Sequence, residues 1–275
     1  MYLEHFGLSE LPFGITPDTS YTVVTRSHQE ALNTLLVAIG SGEGFIKITG
    51  EVGTGKTLLC RRLLQAMPDG ALSAYLPNPY LAPRTLLMAL AEELSLPVKA
   101  ETDDYHLLMQ INYALLRHAA VERKVVLCID EAQAMPLETL ESLRLLSNLE
   151  TEKRKLMQIV LFGQPELDTK LAEPSVRQLR QRIAFHYRLD GLDRQEVGKY
   201  LEHRLRVAGY RGEGVFMPRT VRALHRASRG TPRLLNILAH KSLLAAYGEG
   251  LGSVKPVHVR RAAADTEGAS SPGWW

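Results

Sequence analysis

The sequence predicts an α/β fold: a parallel sheet flanked by helices, of the P-loop type, followed by a small all-helical domain. Three observations predict it. Short apolar runs such as KVVLCIDEA (Lys124–Ala132) and LMQIVLFG (Leu156–Gly163) alternate with helical stretches, the pattern of strands buried on both faces of a parallel sheet. A glycine-rich segment, GEVGTGKT (Gly50–Thr57), stands between one such run and an apolar helix. After Leu192 the strand signals stop and only helical spacing continues.

In chain order, residues 1–26 read as an irregular arm, with Pro12, Gly14 and Pro17 among the aromatics Phe6, Phe13 and Tyr21. Ser27–Gly42 reads as an amphipathic helix with Ser27 as N-cap and Glu30 completing a capping box. Gly44–Gly50 is a strand and Lys56–Met67 a helix. Ala71–Pro77 is a second strand, and Pro83–Leu94 and Tyr105–Val121 have helical spacing. Lys124–Ala132 and Leu156–Gly163 are buried strands around a helix at Leu137–Leu149, and Ile183–Leu189 alternates like a last strand. Helices follow at Arg194–Val207, Arg219–Ser228, Arg233–Tyr247 and Val257–Ala264. These elements divide the chain into an arm (1–26), an α/β domain (27–191), a helical domain (192–266) and a tail without periodicity (267–275), expected to be disordered.

Composition narrows the function classes. The chain has 275 residues, 45% hydrophobic and 23% charged, the balance of a globular protein. No run reaches the roughly 18 apolar residues of a membrane helix, and no secretory signal opens the chain. The two cysteines, Cys60 and Cys128, sit in apolar surroundings and read as buried hydrophobes, which points to a reducing, cytoplasmic compartment. The net charge of +3 is uneven: residues 1–191 carry 19 basic against 23 acidic residues (−4), and residues 192–266 carry 14 against 6 (+8). A basic C-terminal domain permits an acidic partner.

Gly50-x-x-x-x-Gly55-Lys56-Thr57 is a phosphate-binding loop. Its glycines allow positive φ and close backbone approach, so the N–H groups of Gly50, Glu51, Val52, Gly53, Thr54 and Gly55 can turn toward phosphate oxygens. The helix that starts at Lys56, Thr57 and Leu58 adds its positive N-terminal end. Lys56 supplies a mobile charge for the outer phosphates of ATP, and Thr57 a hydroxyl for Mg²⁺.

Four apolar residues followed by Asp130-Glu131 form a Walker B strand. Its C-terminal end brings Asp130 toward the loop to help hold Mg²⁺, and Glu131 can polarise an attacking water. After the next strand, Gln164 could orient water or sense the γ-phosphate, or face solvent in a turn. Arg177, Arg180 and Arg182 precede the last strand. Each is either a solvated side chain or an arginine that reaches a neighbouring subunit's γ-phosphate. Arg233 sits in the first turn of a helix, where a cation is unfavourable; it calls for an anion, either nucleotide phosphate or a local acid.

This set, with MYLEHFGLSELPFGITPD, FGQPEL, RQLRQRI and GTPRLLN, resembles the AAA+ ATPases of the ExeA/GspA secretion group, and most closely the MshM type of pilus biogenesis. The resemblance covers about residues 1–266. It implies a Mg²⁺-dependent ATPase that forms nucleotide-dependent homo-oligomers. Its partners would be pilus or type II secretion proteins at the cytoplasmic face of the inner membrane. It places Gln164 at sensor 1, Arg182 at the arginine finger with Arg177 as a second candidate, and Arg233 at sensor 2. ExeA-type chains continue into a membrane span and a periplasmic part; this sequence stops at Trp275, which favours the shorter type. The alternative is a DNA-associated AAA+ helper of the transposition type, which the basic C-terminal domain would suit. Against it stand the lack of a helix-turn-helix extension and of aromatics among the basic residues.

Overall fold

Successive residues of a strand face opposite sides of the sheet, so a strand covered on both sides is apolar at nearly every position. The computed structural model, which describes residues 2–15, 21, 23, 25–68, 70–99, 101–151, 154–212 and 214–270, has such strands at its centre. β1 (Phe45–Gly50), β2 (Leu72–Leu76), β3 (Val125–Ile129), β4 (Gln158–Gly163) and β5 (Ile183–Leu189) form one sheet in the order β2-β3-β4-β1-β5. All four pairings are parallel. β3 and β4 are buried throughout. β5 lies at the edge, and its alternating sequence gives alternating exposure.

The two faces sort the strand residues. Phe45, Leu127, Ile129, Ile159 and Leu161 pack with Leu86 and Leu90 of α4 (Pro83–Glu93), Leu107 and Ile111 of α5 (Asp104–Ala120), and Leu140 and Leu143 of α6 (Leu137–Leu146). Ile46, Ile48, Val126, Cys128, Val160 and Phe162 face Leu35 and Ile39 of α2 (Arg26–Ser41), and Leu59 and Leu63 of α3 (Lys56–Gln65). Cys60 and Cys128 meet in this second layer as free, fully buried thiols. Their mutual hydrogen bond and their burial push the Cys60 thiol up, so it stays protonated and inert. The N-terminal signal of α2 lies two residues earlier than expected. Thr25 Oγ1 accepts from the His28 N–H at 3.2 Å, whereas Ser27 Oγ accepts from Asp190 N–H. Short helices that the sequence did not announce occupy Glu166–Leu171 (α7) and Arg177–Gln181 (α8).

The chain divides into two units, one of Glu30–Gly50 with Lys56–Leu189, the other of Met1–Gln29, Glu51–Gly55 and Asp190–Trp275. The second unit contains α9 (Arg194–Val207), α10 (Pro218–Ser228), α11 (Pro232–Gly248) and α12 (Pro256–Ala264). It corrects the expected arm. Tyr2–Phe6 is a helix, α1, and its aromatics are buried with Phe13, Tyr200, Leu201, Leu235 and Leu243. Tyr2 Oη lies 3.0 Å from His240 Nδ1, and Arg204 Nε donates to Pro12 O at 2.6 Å. Burial of each aromatic removes enough apolar area to hold a segment too short to be helical alone. Residues 1, 16–20, 22 and 24 of the arm, Pro17 included, lie outside the described residues. In the tail, Ser270 N–H donates to Ala227 O at 2.9 Å and Ala269 packs on the helical core, so the tail is attached at least to Ser270. Residues 271–275 lie outside the described residues.

Candidate nucleotide site

β1 ends at Gly50 and α3 begins at Lys56, so the loop between them is fixed at both ends by regular structure. Gly53 and Gly55 have φ of +80° and +94°, a region that costs other residues strain. Space forbids a side chain at both. A Cβ on Gly53 would fall 2.4 Å from Arg233 Cβ, and one on Gly55 2.7 Å from His28 Nε2. Within the loop, Thr54 N–H and Oγ1 both donate to Glu51 O, at 3.2 and 2.8 Å. Arg233 N–H points at Gly53 O at 3.4 Å, so the first turn of α11 and the loop Glu51–Gly55 meet in one unit. The Arg233 side chain is exposed, with its aliphatic stem beside Gly53.

In the α/β unit, Lys56 is 5% exposed and its Nζ donates to Gly50 O at 2.8 Å. Thr57 Oγ1 donates to Asp130 Oδ2 at 2.6 Å, so the hydroxyl and the carboxylate of the two motifs are in direct contact. Asp130 is 2% exposed. Burial pushes its carboxyl up, against the opposing pull of hydrogen bonds from Thr57 and the Glu131 N–H and of the Lys56 charge. An added cation beside the carboxylate would act in the opposite direction, favouring its ionised form. Within the α/β unit, a buried lysine and a paired hydroxyl and carboxylate fit the phosphate and Mg²⁺ of a nucleotide triphosphate.

Glu131 follows the strand in the left-handed region, with φ of 51°. That turn separates its side chain from that of Asp130. Burial acts to raise the Glu131 carboxyl, but hydrogen bonds from Gln133 and Gln164 and the Lys56 charge outweigh it and hold the carboxyl below the usual glutamate value. Gln164 Nε2 donates to Glu131 Oε2 at 3.0 Å and Gln133 Nε2 to the same oxygen at 2.5 Å. Gln164 N–H in turn donates to Gln133 Oε1 at 2.9 Å. Gln164 therefore faces the acid and not solvent. Gln133 is the residue that sequence reading missed. Its only signal was the spacing Glu131-x-Gln133, which acquires meaning once the turn folds the two side chains together.

The three arginines part company. Arg177 and Arg180 are exposed. Arg182 is half-buried, and its guanidinium donates to Ser147 Oγ at 2.5 Å and to Arg144 O at 3.1 Å. It thereby satisfies carbonyl and hydroxyl groups at the end of α6.

Residues 39–171 match the AAA domain family. Over all of its 275 residues the chain is 42% identical to the General secretion pathway protein A of Aeromonas hydrophila, and it spans half the length of that curated relative. Among solved structures it is similar to the Aeropyrum pernix ORC2 protein, at 20% identity and a TM-score of 0.64, over 95% of this chain and 72% of that one. The Cdc6p of Pyrobaculum aerophilum matches at 19% and 0.64, over 91% and 71%. The RuvB branch migration motor of Thermotoga maritima matches at 16% and 0.55, over 93% and 73%. At these identities the likeness is one of fold.

Proposed function

We propose, from the match of residues 39–171 to the AAA domain family, that the chain is a Mg²⁺-dependent ATPase that assembles or remodels a secretion apparatus. The substrate machinery is a type II secretion system or a type IV, MSHA-like pilus, engaged from the cytoplasmic face of the inner membrane. Among the described residues no helix is long and apolar enough to cross a membrane. The 42% identity of this chain to half of a secretion protein supports the choice of machinery. One observation carries the enzymatic reading: a Thr57–Asp130 contact of 2.6 Å beside a glutamate fixed by two glutamines.

In this reading the backbone of Gly50–Gly55, with Leu58 behind it, cradles the phosphates, and Lys56 shifts from Gly50 O to a phosphate oxygen. Thr57 and Asp130 would hold Mg²⁺, which would supply neutralisation of phosphate charge. Glu131 accepts the proton of the attacking water. Gln133 and Gln164 keep its carboxylate ionised and aimed, and Gln164 also reports whether a γ-phosphate is there. Arg233 adds a positive charge from the first turn of α11. Arg182, or Arg177, completes the site of a neighbouring copy in a homo-oligomer.

The test has two arms. Lys56→Ala should lose ATP binding in calorimetry while its melting curve persists; wild-type affinity would sink the loop assignment. In cells, deletion of the gene should abolish secretion or piliation, restored by the wild type and not by Lys56→Ala. Normal export in the deletion strain would remove the secretion role and leave the ATPase untouched.

A further inference from the structure

The helical unit carries a row of arginines that the nucleotide site does not use. Arg219, Arg222 and Arg226 fall on one face of α10 and are exposed. With Arg260 of α12, Ala223 and Pro256, they line a groove of about 150 Å³. Among the described residues no acidic or aromatic one lines it. The groove's walls are fixed from beneath. Leu224 and Ala227 of α10 and Val259 and Ala263 of α12 are buried in the core, and Thr220 Oγ1 donates to Val254 O at 2.7 Å in the interior. The helix positions that carry the arginines therefore have a set spacing.

That spacing selects among anions. At 1.5 Å per residue, Arg219 and Arg222 stand about 4.5 Å apart along the helix and Arg222 and Arg226 about 6 Å. One phosphate group can engage two or three of them, not a row of about 10 Å faced by a fourth arginine. A repeating phosphate chain can engage them all, and guanidinium binds phosphate oxygens in pairs. The excess of 14 basic over 6 acidic residues in 192–266 adds attraction at longer range. Without an aromatic lining there is no platform on which an unstacked base could rest, so the backbone of a duplex fits better than a single strand. We propose that the α10–α12 groove binds the phosphate backbone of duplex DNA without reading its sequence. This goes beyond the ATPase reading and does not rest on it.

The test is fluorescence anisotropy of the full chain, nucleotide-free, with a labelled duplex of random sequence between about 50 and 200 mM salt. Log affinity should fall linearly with log salt, with a slope near −0.9 per phosphate contacted, about −3 in all. Arg219→Ala with Arg222→Ala should bind more weakly and reduce the slope by about 2, with an unchanged melting curve. Arg219→Lys with Arg222→Lys should restore most of the slope, because it restores the charge. Lys56→Ala should bind duplex as the wild type does, which separates this site from the nucleotide site. An unchanged slope in the alanine pair overturns the proposal. So does tighter binding to anionic phospholipid vesicles or to polyglutamate than to duplex at equal salt.

Discussion

The acids at the end of β3 and the arginines ahead of β5 belong to the same unit but are held in opposite ways. Asp130 and Glu131 are enclosed by donors: Thr57, a backbone N–H, Gln133 and Gln164. Arg177 and Arg180 stand in solvent, and Arg182 is tied to α6 through carbonyl and hydroxyl acceptors. The acids are preorganised within one chain, so their orientation costs nothing when substrate arrives. Among the described residues the arginines take no part in that set of hydrogen bonds. Their chemistry, under the proposed function, belongs to a neighbour.

The sharpest way to break this comparison is Arg182→Ala. If the guanidinium completes a neighbour's site, hydrolysis should fall by about 10³–10⁵ while ATP binding persists. Mixing the variant with Lys56→Ala should then recover activity in interfaces that pair an intact arginine with an intact loop. If Arg182 serves only α6, the melting midpoint falls, since Ser147 Oγ loses the guanidinium donor and Arg144 O keeps only the Ser147 hydroxyl, and mixing recovers nothing; Arg177→Ala is then the variant to measure.

On the acid side, Glu131→Gln should lower turnover by about 10²–10⁴ and leave ATP affinity intact, because the amide cannot take a proton. A wild-type rate of phosphate release would move the base elsewhere. A smaller effect is expected of Gln133→Ala, roughly 10-fold on turnover, since it acts through Glu131. It should also move the acid limb of the pH–rate profile upward. The carboxyl is held below the usual glutamate value by donors that include Gln133. With that donor gone, protonation, and with it loss of the base, begins at higher pH. An unshifted limb would mean that Gln133 does not tune the acid. The same depression makes Glu131 stabilising above its unfolded pKa, a contribution lost as pH falls through the folded value.

The smallest expected effect has the opposite sign. The Asp130 carboxyl is raised by burial, so its ionised form costs folding energy above the unfolded pKa. Asp130→Asn should raise the melting midpoint of the nucleotide-free protein by a few degrees while Mg²⁺-dependent ATP binding weakens. A lower midpoint would show that the Thr57 contact outweighs the desolvation.

The sequence by itself determined the strands, the loop and the two acids. Their signals are local: a continuous apolar run needs burial on both faces, and only glycine adopts the φ that Gly53 and Gly55 require. The helices from Arg194 onward are legible for the same reason, in periodicity; the Asp193–Glu196 capping box at the start of the first was seen only in the structure. Tertiary structure decided what depends on residues distant in the chain. The aromatics of the arm find their partners some 200 residues later, so Tyr2–Phe6 is helical and belongs to the helical core. Gln133 becomes a donor to Glu131 only because the turn after β3 is left-handed and β4 brings Gln164 alongside. Arg182 looked like its neighbours in sequence, and only the packing of α6 beside α8 separates it from Arg177 and Arg180. The arginine row of α10 was countable as charge, but its facing partner, Arg260, lies on another helix. A charge count carries no geometry until two helices are packed against one core.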